Sequence, residues 1–217
     1  MHVDGAHGMG VLFSEKYKDR VKGIERADSV VIDFHKMFLV PALNTLVMFR
    51  LGERSFETFA QKASYLFQKT QNNVWYNSAM RTIECTKSAL GIIAYAALKY
   101  YGNGYYSQYI NSRYDHAARF ALIVRSDKQF QLAIEPESNI VCFRFAPAGN
   151  NDLTLNRINA EIRSRIINEG SFYIVQVELS GNLWLRLTII NPITSEDDLK
   201  VLLKRVSEIG GEILRKS

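Results

Sequence analysis

Apolar positions change their spacing several times along the chain, and each change marks an element. His2-Val3-Asp4 reads as the end of a strand, with glycines following at Gly5, Gly8 and Gly10. Residues 15–26 are polar, with Tyr17, Val21 and Ile24 spaced for one helical face or a helix-like connection. Ser29-Val30-Val31-Ile32 is a β-rich run that leads into Asp33-Phe34-His35-Lys36. Residues 44–49 are a further apolar run, read as a strand, and residues 69–81 are polar and irregular, read as a loop. Residues 88–101 are nearly all apolar, which predicts a buried helix, stopped by Gly102-Asn103-Gly104. A more amphipathic helix is expected over residues 106–124.

The pattern shifts near Gln129. Residues 130–134 and 140–145 are candidate strands, and residues 152–168 carry Leu155, Ile158, Ile162 and Ile166 at helical spacing before Gly170. Residues 172–179 and 182–190 read as a hairpin around Ser180-Gly181. Ser195 with Asp198 three residues on is a capping-box pattern, and Leu199, Leu202, Leu203, Val206 and Ile209 make the apolar face of a last helix. An order βαββα with an antiparallel hairpin points to a compact α+β module. Residues 1–111 are therefore expected to form a partial α/β domain and residues 112–217 a small, complete α+β domain.

Composition narrows the function classes. With 47% hydrophobic and 23% charged residues, the 217-residue chain is an ordinary globular sequence, neither disordered nor coiled-coil. The net charge of +5 is scattered, without the basic stripe and interleaved aromatics of a nucleic-acid groove. No apolar run approaches the roughly 18 residues of a membrane span, and the first residues lack a secretory layout. Cys85 and Cys142 have no metal-site spacing and lie in apolar stretches, which reads as buried free thiols in a reducing, cytoplasmic setting.

Two strand-end residues carry the candidate chemistry. A lysine beside a buried strand is costly to desolvate, and burial frees its amine for attack on an aldehyde. Alone, Lys36 reads as a side chain snorkelling from a strand end, and Asp4 as a cap on a turn. Together, an acid and a lysine at two strand ends match the needs of pyridoxal phosphate: one group for the pyridine nitrogen, one for the aldehyde.

The segment His2-Val3-Asp4-Gly5-Ala6-His7-Gly8 resembles the HVDAA(Y/W)GG stretch of the group II pyridoxal-phosphate-dependent amino acid decarboxylases, which include the glutamate, aromatic amino acid and 2,4-diaminobutyrate decarboxylases. Arg26-Ala27-Asp28-Ser29 followed by Asp33-Phe34-His35-Lys36-Met37 resembles the RA(D/N)S…HK signature of that family, in a form most like the diaminobutyrate branch. Residues 63–68, 139–144, 185–187 and 191–197 are similar to further family stretches, so the likeness runs along the whole chain. It implies the C-terminal part of a fold-type I large domain followed by the small C-terminal domain.

The resemblance also implies roles. Lys36 would be the Schiff-base lysine, Asp4 the partner of the pyridinium nitrogen, Ala6 a packing surface for one ring face, and His35 a cofactor or substrate contact and proton donor. Asp33 stands near the cofactor phosphate where many relatives have asparagine, although a carboxylate beside a phosphate is repulsive unless protonated or paired. Tyr76 is the candidate for the loop tyrosine that protonates carbon, since the directly aligned position falls near Asn72 or Asn73. Lys87 stands where the family has a substrate-binding arginine, and Gly5 where it has alanine. The net outcome implied is decarboxylation of an amino acid. Oxidative deamination, transamination or another carbon-bond cleavage on the same fold is the alternative, as is a non-catalytic assembly subunit.

In this family the large domain begins well before the HVD motif, and that earlier region supplies the phosphate-cradling loop and a dimerisation segment. The expectation is a heteromer: a separate chain supplies the N-terminal half, and two such pairs form a dimer. A truncated product is the competing explanation.

Overall fold

The computed structural model describes residues 1–59, 76–84 and 86–216. Two compact units divide between Gln108 and Tyr109. The resembled stretch at residues 63–68, most of the 69–81 loop, the aligned Asn72/Asn73 positions and Cys85 lie outside the described residues.

The first unit is built on three strands, β1 (His2–Asp4), β2 (Ser29–Asp33) and β3 (Thr45–Phe49), in the order β1-β2-β3. The β1–β2 pair is parallel, with Asp4 opposite Val31, and β2–β3 is antiparallel, with Asp33 opposite Thr45. The polar connection between β1 and β2 does not form the expected single helical face. It makes short 3-10 turns at Lys18–Val21 and Ile24–Arg26, separated by Gly23 at φ 92°, a left-handed backbone that no helix continues through. Val30 and Ile32 of β2 are buried with Met37 and Phe38. Phe38 meets Phe13 edge-on at 5.1 Å and Tyr106 at 5.4 Å, so the segment after β2 is anchored by aromatic packing.

A short helix α1 (Arg54–Thr58) follows β3, and a long helix α2 (Leu90–Ser126) contains both predicted helices. Gly102 takes φ 70° and ψ 170°, so it kinks the helix; the expected stop is overridden and helix resumes at once. Helix formation over residues 90–101 agrees with the sequence, but burial does not: Ile92 is 68% and Tyr100 83% exposed. A helix apolar on every side needs neighbours on every side, and a three-stranded sheet is too small to provide them. Strand β3 is in the same position, its Leu46, Val47 and Met48 all exposed.

The second unit adds β4 (Phe130–Leu132), β5 (Ile140–Phe145), α3 (Asp152–Glu169), β6 (Val175–Leu179), β7 (Asn182–Thr188) and α4 (Glu196–Lys216). Its order is ββαββα, which matches one by one the two strands, helix, hairpin and last helix read in the sequence, where the shorthand βαββα leaves out the first strand, and its antiparallel sheet has the order β4-β5-β7-β6. Phe143, Leu185, Ile158, Ile162, Ile166, Val206 and Ile209 are buried in one continuous core. The caps are those the sequence signals. Asn151 accepts from the Thr154 amide, Gly170 closes α3 at φ 69°, and Ser195 and Asp198 exchange bonds at 2.8 and 3.1 Å. Ser180 and Gly181 both have positive φ, the conformation of a tight hairpin turn. Cys142 is half-buried, and burial pushes its thiol pKa up. Among the described residues, no helix is long and apolar enough to cross a membrane.

Candidate active site

In open α/β sheets the carboxyl ends of parallel strands are where ligands bind. Asp4 closes β1 there, and Asp33 closes β2, its neighbour. Backbone bonds lace the two ends together. The Ala6 amide donates to Asp4 Oδ1 at 3.1 Å, and the Asp33 amide donates to the Ala6 carbonyl at 3.1 Å. Between them, Gly5 is buried where no side chain fits. A Cβ there would lie 2.2 Å from Met9 Cγ and 2.9 Å from the Val31 carbonyl oxygen. Met9 thus fills the space that an alanine methyl would need, which accounts for glycine at this position. Gly5→Ala is expected to destabilise the chain by about 1–3 kcal/mol through overpacking, read as a lowered urea midpoint.

Beyond β2 the chain turns through Phe34-His35-Lys36. Lys36 Nζ lies 2.8 Å from Asp33 Oδ2, while Asp33 Oδ1 accepts from Thr45 Oγ1 at 2.5 Å. His35 Nε2 is 3.6 Å from the same Asp33 Oδ2. The His35 ring is pinned at its other nitrogen: Nδ1 is 3.1 Å from the Asn44 carbonyl oxygen and 3.2 Å from the Asn44 amide. Asn44 is buried, and its side-chain amide donates to the Leu90 carbonyl at 2.8 Å. Burial pushes the Asp33 carboxyl pKa up, but hydrogen bonds from Lys36 and Thr45, with the charges of Lys36 and His35, outweigh it and hold the carboxyl below its ordinary value.

That direction fixes a pH dependence. The unfolded chain binds a proton at Asp33 more readily than the folded chain, so the stabilisation is complete above about pH 4. It is lost as pH falls through the lower folded value. Between pH 5 and pH 3 the urea midpoint should therefore drop more for the unsubstituted chain than for Asp33→Asn.

Asp4, Ala6, Asp33, His35 and Lys36, five of the residues singled out in the sequence, thus converge on the ends of β1 and β2. Tyr76 is 74% exposed, on a turn. Lys87 pairs with Glu84 at 3.6 Å on the surface. It also lines a cleft of about 660 Å³ that reaches Thr45, Phe49 and Arg81. Asn44 and Thr45 were not singled out in the sequence, where both fall within the apolar run read as a strand over residues 44–49. The one usable signal is pairing: an antiparallel β2–β3 ladder sets Thr45 opposite Asp33.

Asp4 thus closes β1, and Lys36 follows the end of β2 by three residues with its amine beside Asp33. The family described as "Pyridoxal-dependent decarboxylase conserved domain" matches residues 1–146, and the chain belongs to this family. L-2,4-diaminobutyrate decarboxylase of Rhizobium meliloti is 27% identical over 216 residues, covering 98% of this chain and 43% of that protein. Phenylacetaldehyde synthase of Arabidopsis thaliana is 24% identical over 216 residues, covering 99% of this chain and 44% of that protein. The solved structure of mouse CSAD superposes with a TM-score of 0.84 at 21% identity, covering 96% of this chain and 45% of that one. The fold is accordingly fold-type I. The chain spans less than half the length of each of these relatives, and it matches their C-terminal half.

The residues present fit pyridoxal phosphate, the cofactor of the family. Asp4 is exposed at its strand end and carries a carboxylate, the kind of group that pairs with a cationic ring nitrogen; its Oδ1 accepts the Ala6 amide. Lys36 offers a primary amine on the neighbouring strand end.

Proposed function

We propose that this chain is the lysine-bearing half of a pyridoxal-phosphate-dependent amino acid decarboxylase, working with a segment that supplies the N-terminal half of the family fold. The observation that carries the reading is the placement of Asp4 and Lys36 at the carboxyl ends of the parallel pair β1 and β2. Lys36 would hold the cofactor by condensation of its amine with the aldehyde, which releases water. Asp4 sets a negative charge against the ring nitrogen and favours its protonated form. The bound ring supplies a sink for the electron pair left when carbon dioxide departs. Ala6 packs on the ring face. His35, held by Asn44, presents Nε2 as a hydrogen-bonding or proton-donating group. Tyr76 delivers the proton to carbon, and Lys87 binds the substrate carboxylate.

The working assembly is a dimer of such pairs. The test is co-expression with an N-terminal half of the diaminobutyrate decarboxylase type, followed by assay of amine and carbon dioxide from L-2,4-diaminobutyrate, glutamate and aromatic amino acids. Stoichiometric amine and carbon dioxide support the reading; a well-formed, cofactor-loaded pair that releases neither overturns it. A second reading, oxidative release of an aldehyde, is favoured by Asn72 and Asn73 standing where the family's loop tyrosine aligns, and by an aldehyde synthase among the relatives. Oxygen uptake with aldehyde formation separates the two outcomes.

A further inference from the structure

We propose that Asp33 is the positioning residue of the lysine: a carboxylate clamped by Thr45 that parks the Lys36 amine at the strand end whenever that amine is not bonded to the cofactor. This rests on the reading of Lys36 as the cofactor lysine. Two carboxylates and one amine stand at the ends of β1 and β2, and the amine is 2.8 Å from Asp33. That pairing leaves Asp4 available for the ring.

Sheet geometry, and not a loop, sets the clamp. Asp33 is the last residue of β2, in register with Thr45 on β3, and the Thr45 hydroxyl meets Oδ1 at 2.5 Å while Oδ2 faces Lys36. The Lys36 amide donates to the Asp33 carbonyl at 3.4 Å, which keeps the backbone of the lysine tied to the same residue. The Asp33 side chain is only 11% exposed, whereas that of Lys36 is 38% exposed. A carboxylate that far from water is costly without a cationic partner. A four-carbon lysine stem otherwise samples many rotamers. The pair therefore confines the amine to one place, and a lysine displaced by a substrate amine returns there and stays within reach. With Lys36 engaged elsewhere, Thr45 remains on Oδ1, and His35 Nε2, 3.6 Å from Oδ2, is the neighbouring polar group.

The test is acetylation of the full chain with N-hydroxysuccinimidyl acetate, without cofactor. Modification of Lys36 is followed by peptide mass spectrometry against exposed Lys22 as internal reference. Asp33→Asn is expected to acetylate at Lys36 severalfold faster than the unsubstituted chain, with Lys22 unchanged. Thr45→Val should lie between them. Thr45→Ser, which keeps the hydroxyl, should restore the slow rate, a rescue that a merely structural role would not give. If Asp33→Asn does not fold, the Thr45→Val and Thr45→Ser pair decides alone. Equal Lys36 rates in folded Asp33→Asn or Thr45→Val and the unsubstituted chain, or a Thr45→Ser rate equal to that of Thr45→Val, overturn the proposal. Because no cofactor is present, this result is read independently of whether pyridoxal phosphate adds to Lys36.

Discussion

Lys36→Arg in the co-assembled enzyme is expected to reduce amine formation by roughly a thousandfold or more, equivalent to about 4 kcal/mol of transition-state stabilisation. A guanidinium keeps the positive charge that Asp33 faces at 2.8 Å, but it is not a nucleophile toward an aldehyde at neutral pH. The substitution therefore separates chemistry from structure. Its urea midpoint should stay near that of the unsubstituted chain, while Lys36→Ala should lower it, since the buried Asp33 carboxylate would lose its cationic partner. Steady-state amine production by the reconstituted pair, measured beside urea unfolding, checks both halves. Equal loss of activity and stability in Lys36→Arg would mean that the lysine supports the fold and not the reaction.

The second large effect concerns assembly. Made alone, the chain is expected to self-associate, and co-expression with an N-terminal half should yield a monodisperse complex. The physical cause lies in the first unit. Among the described residues, the outer edges of β1 and β3 have no strand beside them, and β3 displays Leu46, Val47 and Met48 to solvent. Open edges and contiguous apolar surface both recruit another chain. Ile92, Tyr95 and Tyr100 of α2 are exposed as well. Light scattering of the chain alone and of the co-expressed pair reads the difference. Leu46→Lys with Met48→Lys should improve the behaviour of the isolated chain and weaken its co-assembly. A monodisperse monomer without any partner would contradict this account of the exposed surface.

How much of this was legible in the sequence depended on whether a signal was local. Caps, hairpin turn and helix faces of the second unit are local, and Ser195 with Asp198, Gly170 and Ser180-Gly181 were read directly from residue type and spacing. The strand-end acid and lysine were also readable, because the run Ser29-Val30-Val31-Ile32, with three β-branched residues, ends where the polar residues begin. Burial of residues 88–101 was not readable, because an apolar helix reports what it needs and not what this chain provides. Gly102 misled because a single kinked residue looks, in sequence, like a stop. The Asp33–Thr45 bond was missed since it depends on the β2–β3 register, a long-range property. Gly5 became intelligible only with Met9 in place beside it.

The most direct test of the whole account is the site of covalent attachment. The co-assembled protein, loaded with pyridoxal phosphate, reduced with borohydride and digested, should carry the phosphopyridoxyl group on the peptide containing Lys36, and Asp4→Asn should weaken cofactor retention. Attachment at another lysine, or a catalytically active complex whose Lys36 peptide remains unmodified, would contradict the account.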